Sequence, residues 1–155
     1  MHDLRVRYQE TDQMGVVYHA NYLNWFEVAR TEWIRMLGIP YSSIERKGLL
    51  LPVVDAELKF IKPAKYDDVV RIFTEVTEYS HVRISFAYLA YRCNEANADF
   101  SSPGGMNKSD LLVSGSTRHV WLNSDWKPVR IDKEAPELYR TINEYHKNIA
   151  GEYEI

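Results

Sequence analysis

YLNWFEVARTEWIRML, residues 22–37, is the stretch that decides the fold. Large apolar side chains recur in it at spacings of three and four, the period of a helix face; they are Tyr22, Trp25, Phe26, Ala29, Trp33, Ile34 and Leu37. Leu23, Val28 and Met36 add apolar surface on the remaining sides. We therefore expect a helix that is buried over most of its circumference. Gly38 and Pro40 favour its termination directly afterwards.

The remainder of the chain predicts strands around this helix. Apolar residues alternate with period two over residues 4–8, 55–61, 70–76, 82–90 and 111–122. Residues 79–81 are few enough for a hairpin turn, residues 41–47 favour a short helix, and residues 134–148 favour an amphipathic surface helix. Consecutive strands with short links pair antiparallel. The sequence thus predicts an α+β fold, a five-stranded antiparallel sheet wrapped around a long central helix, plus a C-terminal surface helix.

Length and composition limit the class of protein. The 155 residues suit a single domain over 1–155, and 45% hydrophobic residues are enough for a core. A net charge of −3 argues against nucleic-acid binding. No apolar run approaches the roughly 20 residues of a membrane span, and the N-terminus does not resemble a signal peptide. The one cysteine, Cys93, fits a reducing compartment, as a buried small hydrophobe or as a reactive thiol. We expect a cytoplasmic protein without membrane insertion.

Two further features concern the surface of the molecule, a long loop and the uncovered edges of the sheet. Residues 94–110 have no periodicity and are long for a strand connection, which makes them either a functional loop or a flexible surface insertion. A single sheet around one helix also leaves strand edges without cover. Association of identical chains would cover them, so we expect a homodimer or a homotetramer.

The segment directly before the long helix, ETDQMGVVYHANY at residues 10–22, concentrates a carboxylate, a glycine and an imidazole in one loop. A carboxylate near a helix N-terminus can do acid–base or nucleophilic chemistry on a group that the helix end polarises. Asp12 is the candidate carboxylate, and a helix N-cap is the alternative role for an Asp in this place. We interpret Glu10 as a solvated or helix-dipole charge.

These thirteen residues, followed by a Trp- and Phe-rich helix, closely resemble the hotdog-fold acyl-CoA thioesterases. Within them the chain is similar to the 4-hydroxybenzoyl-CoA thioesterase subfamily and to the bacterial acyl-CoA thioesterases of the Tol–Pal gene cluster. The resemblance extends over residues 4–122 and includes the late SGST strand at residues 114–117. It implies hydrolysis of an aromatic or short- to medium-chain acyl-CoA to free acid and coenzyme A. No cofactor is implied, because coenzyme A is part of the substrate.

The resemblance also implies roles for residues of the loop. Asp12 is the catalytic carboxylate, acting as general base on water or as nucleophile. The backbone N–H of His19, with its neighbours, forms the oxyanion site, because first-turn amides lack partners within the helix. The His19 side chain is a general acid, a hydrogen-bond donor to the carbonyl or a structural residue. Further oxyanion or substrate-binding residues are Gly15, Val17, Tyr18, Asn21 and Tyr22.

Several of these residues keep alternative roles. Tyr18 lines the acyl pocket or packs at the dimer seam, and Asn21 is a helix cap rather than a catalytic group. Trp25, Phe26 and Trp33 are interpreted as core. The phosphates of coenzyme A require cations, and the candidates, each of which could instead be a solvated surface charge, are Lys59, Lys62, Lys65, Arg83, Arg92 and Arg118.

Other functions have weaker support. The five histidines are scattered without ligand spacing, so no metal site is predicted. A hotdog hydratase or dehydratase on 3-hydroxyacyl thioesters normally pairs a catalytic histidine with an acid in a different motif. A non-catalytic acyl-CoA-binding module would bind thioesters without turnover. The Asp12 motif favours the hydrolase over both.

Overall fold

The computed structural model describes the backbone of residues 1–152 and the side chains of residues 1–148. Its strands are β1 (His2–Arg5), β2 (Val53–Phe60), β3 (Val69–Tyr79), β4 (Arg83–Arg92) and β5 (Leu111–Val120). Its helices are α1 (Asn21–Met36), α2 (Tyr41–Arg46), α3 (Ile131–Glu134) and α4 (Pro136–Glu152). Among these described residues no helix is both long enough and apolar enough for a bilayer crossing.

The five strands form one antiparallel sheet in the order β1-β3-β4-β5-β2. β1 pairs with β3 in a register that sets His2 opposite Ile72 and Arg5 opposite Val69. The predicted hairpin joins β3 to β4, and the backbone N–H of Ser80 donates to the carbonyl of Arg83 at 2.8 Å. The α+β prediction is confirmed, with the short β1 and the longer β2 at the two edges of the sheet.

The chain divides into two compact units. The first contains residues 1–33, 56–75 and 87–116. The second contains residues 34–55, 76–86 and the described residues from 117 onward. The interpretation of residues 1–155 as a single domain stays a prediction.

Helix α1 is fixed to the sheet in the first unit by an aromatic stack. The rings of Phe26 and Tyr88 lie 4.4 Å apart with an interplanar angle of 7°. Gly115 of β5 makes room for this stack, since a Cβ atom there would lie 2.7 Å from Cε2 of Phe26. The absence of a side chain at one strand position therefore sets how closely the helix approaches the sheet.

The expectation that α1 is buried on most sides is wrong. The face that carries Trp25, Phe26 and the other regularly spaced apolar residues is buried. Leu23, Val28 and Met36 are 41%, 45% and 59% exposed. They lie outside the period of the buried face, and a sheet covers a helix from one side only. Apolar character alone did not distinguish core positions from positions that are exposed in the single chain.

Three predicted elements differ in their bounds or surroundings. The first strand begins at His2 and ends at Arg5, and residues 8–10 form a 3₁₀ turn instead of continuing it. The C-terminal helix is interrupted at Ala135, because a residue before proline is driven out of the helical region, here to φ −144°. Strand β2 is confirmed, but almost all of it is exposed, as expected of an edge strand.

The 94–110 segment is anchored within the first unit by hydrogen bonds and by packing. It contains 3₁₀ turns at 103–105 and 108–110. Nη1 of Arg71 donates to the carbonyls of Ala98 and Phe100, both at 2.8 Å. Met106 packs with Phe73 and Tyr91 in a small buried cluster. This anchoring by backbone carbonyls leaves no periodic signal in the sequence.

Cys93 follows β4 and is half-buried. Burial raises the pKa of its thiol above the ordinary value, which disfavours the nucleophilic thiolate. The environment therefore agrees with a small packing residue better than with a reactive thiol.

Candidate active site

The loop before α1 is a tight turn that fixes the Asp12 carboxylate. The backbone N–H of Asp12 donates to the carbonyl of Val16 at 2.9 Å, and that of Gly15 donates to the carbonyl of Asp12 at 3.0 Å. Gly15 has φ +77°, which a residue without a side chain adopts at low cost. The N–H of Met14 donates to Oδ1 of Asp12 at 2.8 Å. Oδ2 has no partner among the described residues, so one oxygen orients the carboxylate and the other is available.

Most backbone amides that lead into α1 already have acceptors. The occupied amides are those of Val17 (to Ala64 O, 2.8 Å), Tyr18 (to Glu10 O, 2.9 Å), Asn21 (to Tyr18 O, 2.9 Å) and Tyr22 (to His19 O, 3.4 Å). Within the described part of the chain, the backbone N–H groups of His19 and Ala20 have no acceptor. The backbone N–H groups of His19 and Ala20 are therefore among the amides at the helix start that remain for a ligand oxygen.

Asp12 and His19 line one open cleft of about 230 Å³. Its wall is otherwise mainly apolar and contains Val16, Val17, Tyr22, Phe60 and Pro63. The ring centroid of Phe60 lies 5.8 Å from that of Tyr22 and 6.2 Å from that of His19. A carboxylate thus borders a small, partly aromatic cleft at the start of a helix, which suits an apolar acyl group next to a reacting carbonyl.

The two tyrosines of the loop have different surroundings. Tyr22 is 2% exposed, and its hydroxyl oxygen accepts a hydrogen bond from the N–H of Ala64 at 3.1 Å. Burial raises the pKa of Tyr22, so it stays a neutral phenol. Tyr18 is 48% exposed and its ring lies 4.4 Å from that of His19. Tyr22 therefore belongs to the wall of the cleft, and Tyr18 supports the imidazole from outside.

Asn21 links the loop to the helix rather than capping backbone amides. Its Nδ2 donates to the carbonyl of Glu10 at 2.9 Å. Its Oδ1 accepts from the side chain of Asn24 at 3.3 Å. A cap would instead accept from an N–H of the first turn.

The interpretation of Glu10 as a solvated charge is wrong, whereas its interpretation as a helix-dipole charge stays a prediction. It is 6% exposed. Its Oε2 accepts from Nε1 of Trp25 at 2.6 Å, and its Oε1 accepts from the N–H of Arg7 at 2.8 Å. The sequence contained one signal for the burial of Glu10. Trp25 is predicted to be buried, and a buried indole N–H needs an acceptor such as this carboxylate.

The candidate cations for coenzyme A are not equivalent. Lys62 lines the cleft and its Nζ donates to the carbonyl of Ser109 at 2.5 Å. Arg92 supports the cleft wall, because its Nη2 donates to the carbonyl of Pro63 at 2.8 Å and its Nε pairs with Asp68 at 3.0 Å.

The other four cations have no such position at the cleft. Lys59 and Lys65 are exposed residues of the same unit. Arg83 and Arg118 belong to the second unit, where they line a separate groove and Arg118 pairs with Asp55. The sequence could not rank these six cations, because their partners come from distant segments.

No cluster of three or more metal-ligating side chains is found among the described residues. Residues that the sequence did not single out include Phe60 of the cleft wall and Ala64, which is bonded to both the loop and Tyr22. Ala64 is fully buried and acts through its backbone alone. Backbone contacts of this kind have no side-chain signature.

Known proteins resemble the chain over nearly its whole length. A protein of Bacillus subtilis named "Putative acyl-CoA thioesterase YneP" is 34% identical over 146 residues, which are 94% of this chain and 96% of that protein. The structure of a DHNA-CoA thioesterase from Staphylococcus aureus superposes with a TM-score of 0.83 at 32% identity, covering 99% of this chain and 94% of the other.

A structure of 4-hydroxybenzoyl CoA thioesterase has a TM-score of 0.71 at 21% identity, covers 88% of this chain and 95% of the other, and supports the fold alone. These likenesses confirm the predicted hotdog fold. The family model of the thioesterase-like superfamily matches residues 6–137. The chain belongs to the thioesterase-like superfamily.

Proposed function

We propose that this protein hydrolyses an acyl-CoA thioester to the free acid and coenzyme A. The observation that carries the proposal is the placement of Asp12. Its one unpartnered oxygen and the unpaired amides of His19 and Ala20 belong to the same short loop. The names of several relatives support the same substrate class, since each of these names describes a CoA thioesterase.

The chemistry assigns a role to each group. The thioester carbonyl oxygen accepts from the backbone N–H groups of His19 and Ala20, which stabilise the negative charge that it gains in the transition state. An oxyanion donor of this kind is typically worth about 3–4 kcal/mol. The acyl group lies against Tyr22 and Phe60 in the cleft. The cation of Lys62 borders the same cleft and serves the phosphates of coenzyme A.

Asp12 can complete the reaction by two routes. As a general base it takes a proton from water, the water oxygen bonds to the acyl carbon, and the C–S bond breaks to release the thiolate of coenzyme A. As a nucleophile its oxygen bonds to the acyl carbon, the thiolate leaves, and water hydrolyses the mixed anhydride. In a single turnover in ¹⁸O-water, the nucleophilic route with water attack at the aspartyl carbon places label in Asp12, whereas the base route labels only the product acid.

The test compares Asp12→Asn with wild type on a panel of benzoyl-type, short and long acyl-CoAs, with detection of free thiol. We expect kcat to fall at least about a hundredfold, because the amide is neither a base nor a nucleophile. Asp125→Asn, an exposed aspartate of the second unit, is the matched control and should keep wild-type kcat. Hydrolysis by Asp12→Asn near the wild-type rate would contradict the proposal. Enoyl product without free thiol would indicate a hydratase or dehydratase, and binding without turnover a non-catalytic module.

We further propose a cytoplasmic homodimer or homotetramer that needs no cofactor. The support is the exposed β2 edge, where Val53, Val54 and Phe60 are 46%, 58% and 54% exposed. Val54→Lys should reduce the mass measured by light scattering, whereas Met36→Lys on the exposed face of α1 should not. A monomeric wild type would contradict the oligomer, and loss of activity on dialysis against EDTA would contradict independence from metal.

A further inference from the structure

Glu10 stands two residues before Asp12 and accepts four hydrogen bonds in the first unit. Its side chain accepts from Nε1 of Trp25 in α1 at 2.6 Å and from the N–H of Arg7 at 2.8 Å. Its backbone carbonyl accepts from the N–H of Tyr18 and from Nδ2 of Asn21, both at 2.9 Å. These bonds join the segment before the Asp12 turn, the end of that turn and the core face of α1.

The chemistry of the contacts requires a carboxylate. Each side-chain oxygen of Glu10 accepts from a different N–H group, Oε1 from Arg7 and Oε2 from Trp25. Nε of Arg7 lies 3.4 Å from Oε1 and adds a positive charge on that side. A glutamine has one acceptor oxygen, so its NH₂ group would face one of the two donors. At a position that is 6% exposed, such a mismatch leaves a donor without a partner.

We infer that Glu10 is a positioning residue for the proposed thioesterase reaction. By holding the turn against α1, it fixes the Asp12 carboxylate relative to the amides of His19 and Ala20. Misplacing a reacting group by about 1 Å can lower a rate about a hundredfold. None of these hydrogen bonds of Glu10 involves Lys62, the proposed contact of coenzyme A, so we expect substrate binding to change less than the rate. The inference rests on the proposed function.

The decisive experiment is a double-mutant cycle between Glu10→Gln and Trp25→Phe with steady-state kinetics on an acyl-CoA that wild type hydrolyses. Glu10→Gln should lower kcat about tenfold or more and change KM less than about twofold. Trp25→Phe removes the indole donor, so in the double variant the glutamine oxygen can serve Arg7 without an opposed N–H. The double variant should therefore recover part of the kcat that Glu10→Gln loses, which is a non-additive result.

Asp3→Asn is the matched control. Asp3 is also an acid of the first unit, 42% exposed, with both oxygens on Arg71, and among the described residues it has no hydrogen bond or ion pair with residues 10–21. It should destabilise the protein and leave kcat unchanged. If Glu10→Gln does not fold, Trp25→Phe alone should still lower kcat at constant KM, because it leaves an oxygen of Glu10 unsatisfied.

Three results would overturn the inference: wild-type kcat in Glu10→Gln or in Trp25→Phe, additive effects in the cycle, or an equal loss of kcat in Asp3→Asn. A wild-type chain that hydrolyses no acyl-CoA would instead remove the proposed function. The two failures are therefore distinguishable.

Discussion

The guanidinium of Arg71 holds both carboxylate oxygens of Asp3, with Nε–Oδ1 and Nη2–Oδ2 distances of 2.7 Å. The arginine side chain is 7% exposed, and its remaining nitrogen binds the carbonyls of Ala98 and Phe100. One residue of β3 thus fastens both the edge strand β1 and the 94–110 segment. Removing one partner of such a pair costs more than the pair contributes, because a charge is left without compensation.

This pair predicts an acid-sensitive stability. The hydrogen bond from Arg71 lowers the pKa of Asp3 below its ordinary value. A carboxyl with a lower pKa in the folded state contributes stability above its unfolded pKa and loses it as the pH falls through the folded pKa. The free energy of unfolding, measured in urea from about pH 6 to about pH 3, should fall more steeply for wild type than for Asp3→Asn. Asp125→Asn should keep the wild-type slope, and equal slopes in all three proteins would refute the linkage.

Gly15→Ala should separate strain from catalysis. Gly15 and Gly48 have φ of +77° and +71°, and a Cβ at either position would meet no atom within 4 Å. Alanine at each should therefore cost a similar amount, about 1–2 kcal/mol of unfolding free energy. Only Gly15→Ala should also lower kcat, because relief of the strain at φ +77° would distort the turn that holds Asp12. If Gly48→Ala also lowers kcat, the loss of kcat in Gly15→Ala would be explained by reduced stability and not by the Asp12 turn.

Gly115→Ala should destabilise by overpacking. Its Cβ would lie 2.7 Å from the Phe26 ring, and accommodating it should cost about 1–3 kcal/mol in urea unfolding. Gly104→Ala is the control. A Cβ atom at this position would meet no atom within 4 Å, so the substitution should be nearly neutral. Phe26→Leu should cost less in the Gly115→Ala background than alone. If the losses of unfolding free energy in Phe26→Leu and Gly115→Ala simply add, the contact between the two residues is not what limits the packing.

Lys62→Gln should raise KM for acyl-CoA a few-fold at low salt, and the difference from wild type should shrink as the ionic strength rises. The reason is that, of the six candidate cations, Lys62 is the one that lines the cleft, and phosphate contacts are electrostatic. Lys127→Gln, an exposed lysine of the second unit, should leave KM unchanged. A change in KM that is independent of salt would point instead to its bond with Ser109 and the 94–110 segment.

The sequence predicted most elements because their signals are local. Helix α1 and strands β3 and β4 carry clear periods, so their existence and type were confirmed with small shifts in their ends. Proline limited the C-terminal helix in a way that the apolar spacing of Leu138 and Ile142 did not reveal. Burial was less predictable, as the exposed Leu23 and Val28 show, because it depends on which side the sheet covers.

The candidate site was also predictable from the sequence only in part. The motif located Asp12 and His19 in one loop, and the structure places both in one cleft. The buried state of Glu10 depends on Trp25, fifteen residues later, and the occupied amide of Val17 depends on Ala64. Such long-range hydrogen bonds cannot be read from spacing. They decide which groups remain free for chemistry, so the roles within the motif needed the structure.

Phe60 is both the last residue of the edge strand β2 and part of the cleft wall. If the proposed oligomer forms through that edge, self-association and ligand binding involve the same exposed ring. Their free energies are then thermodynamically linked, and the linkage is reciprocal. In such an oligomer, the factor by which a ligand in the cleft changes the strength of assembly equals the factor by which assembly changes the affinity for that ligand, and the apparent affinity depends on the protein concentration.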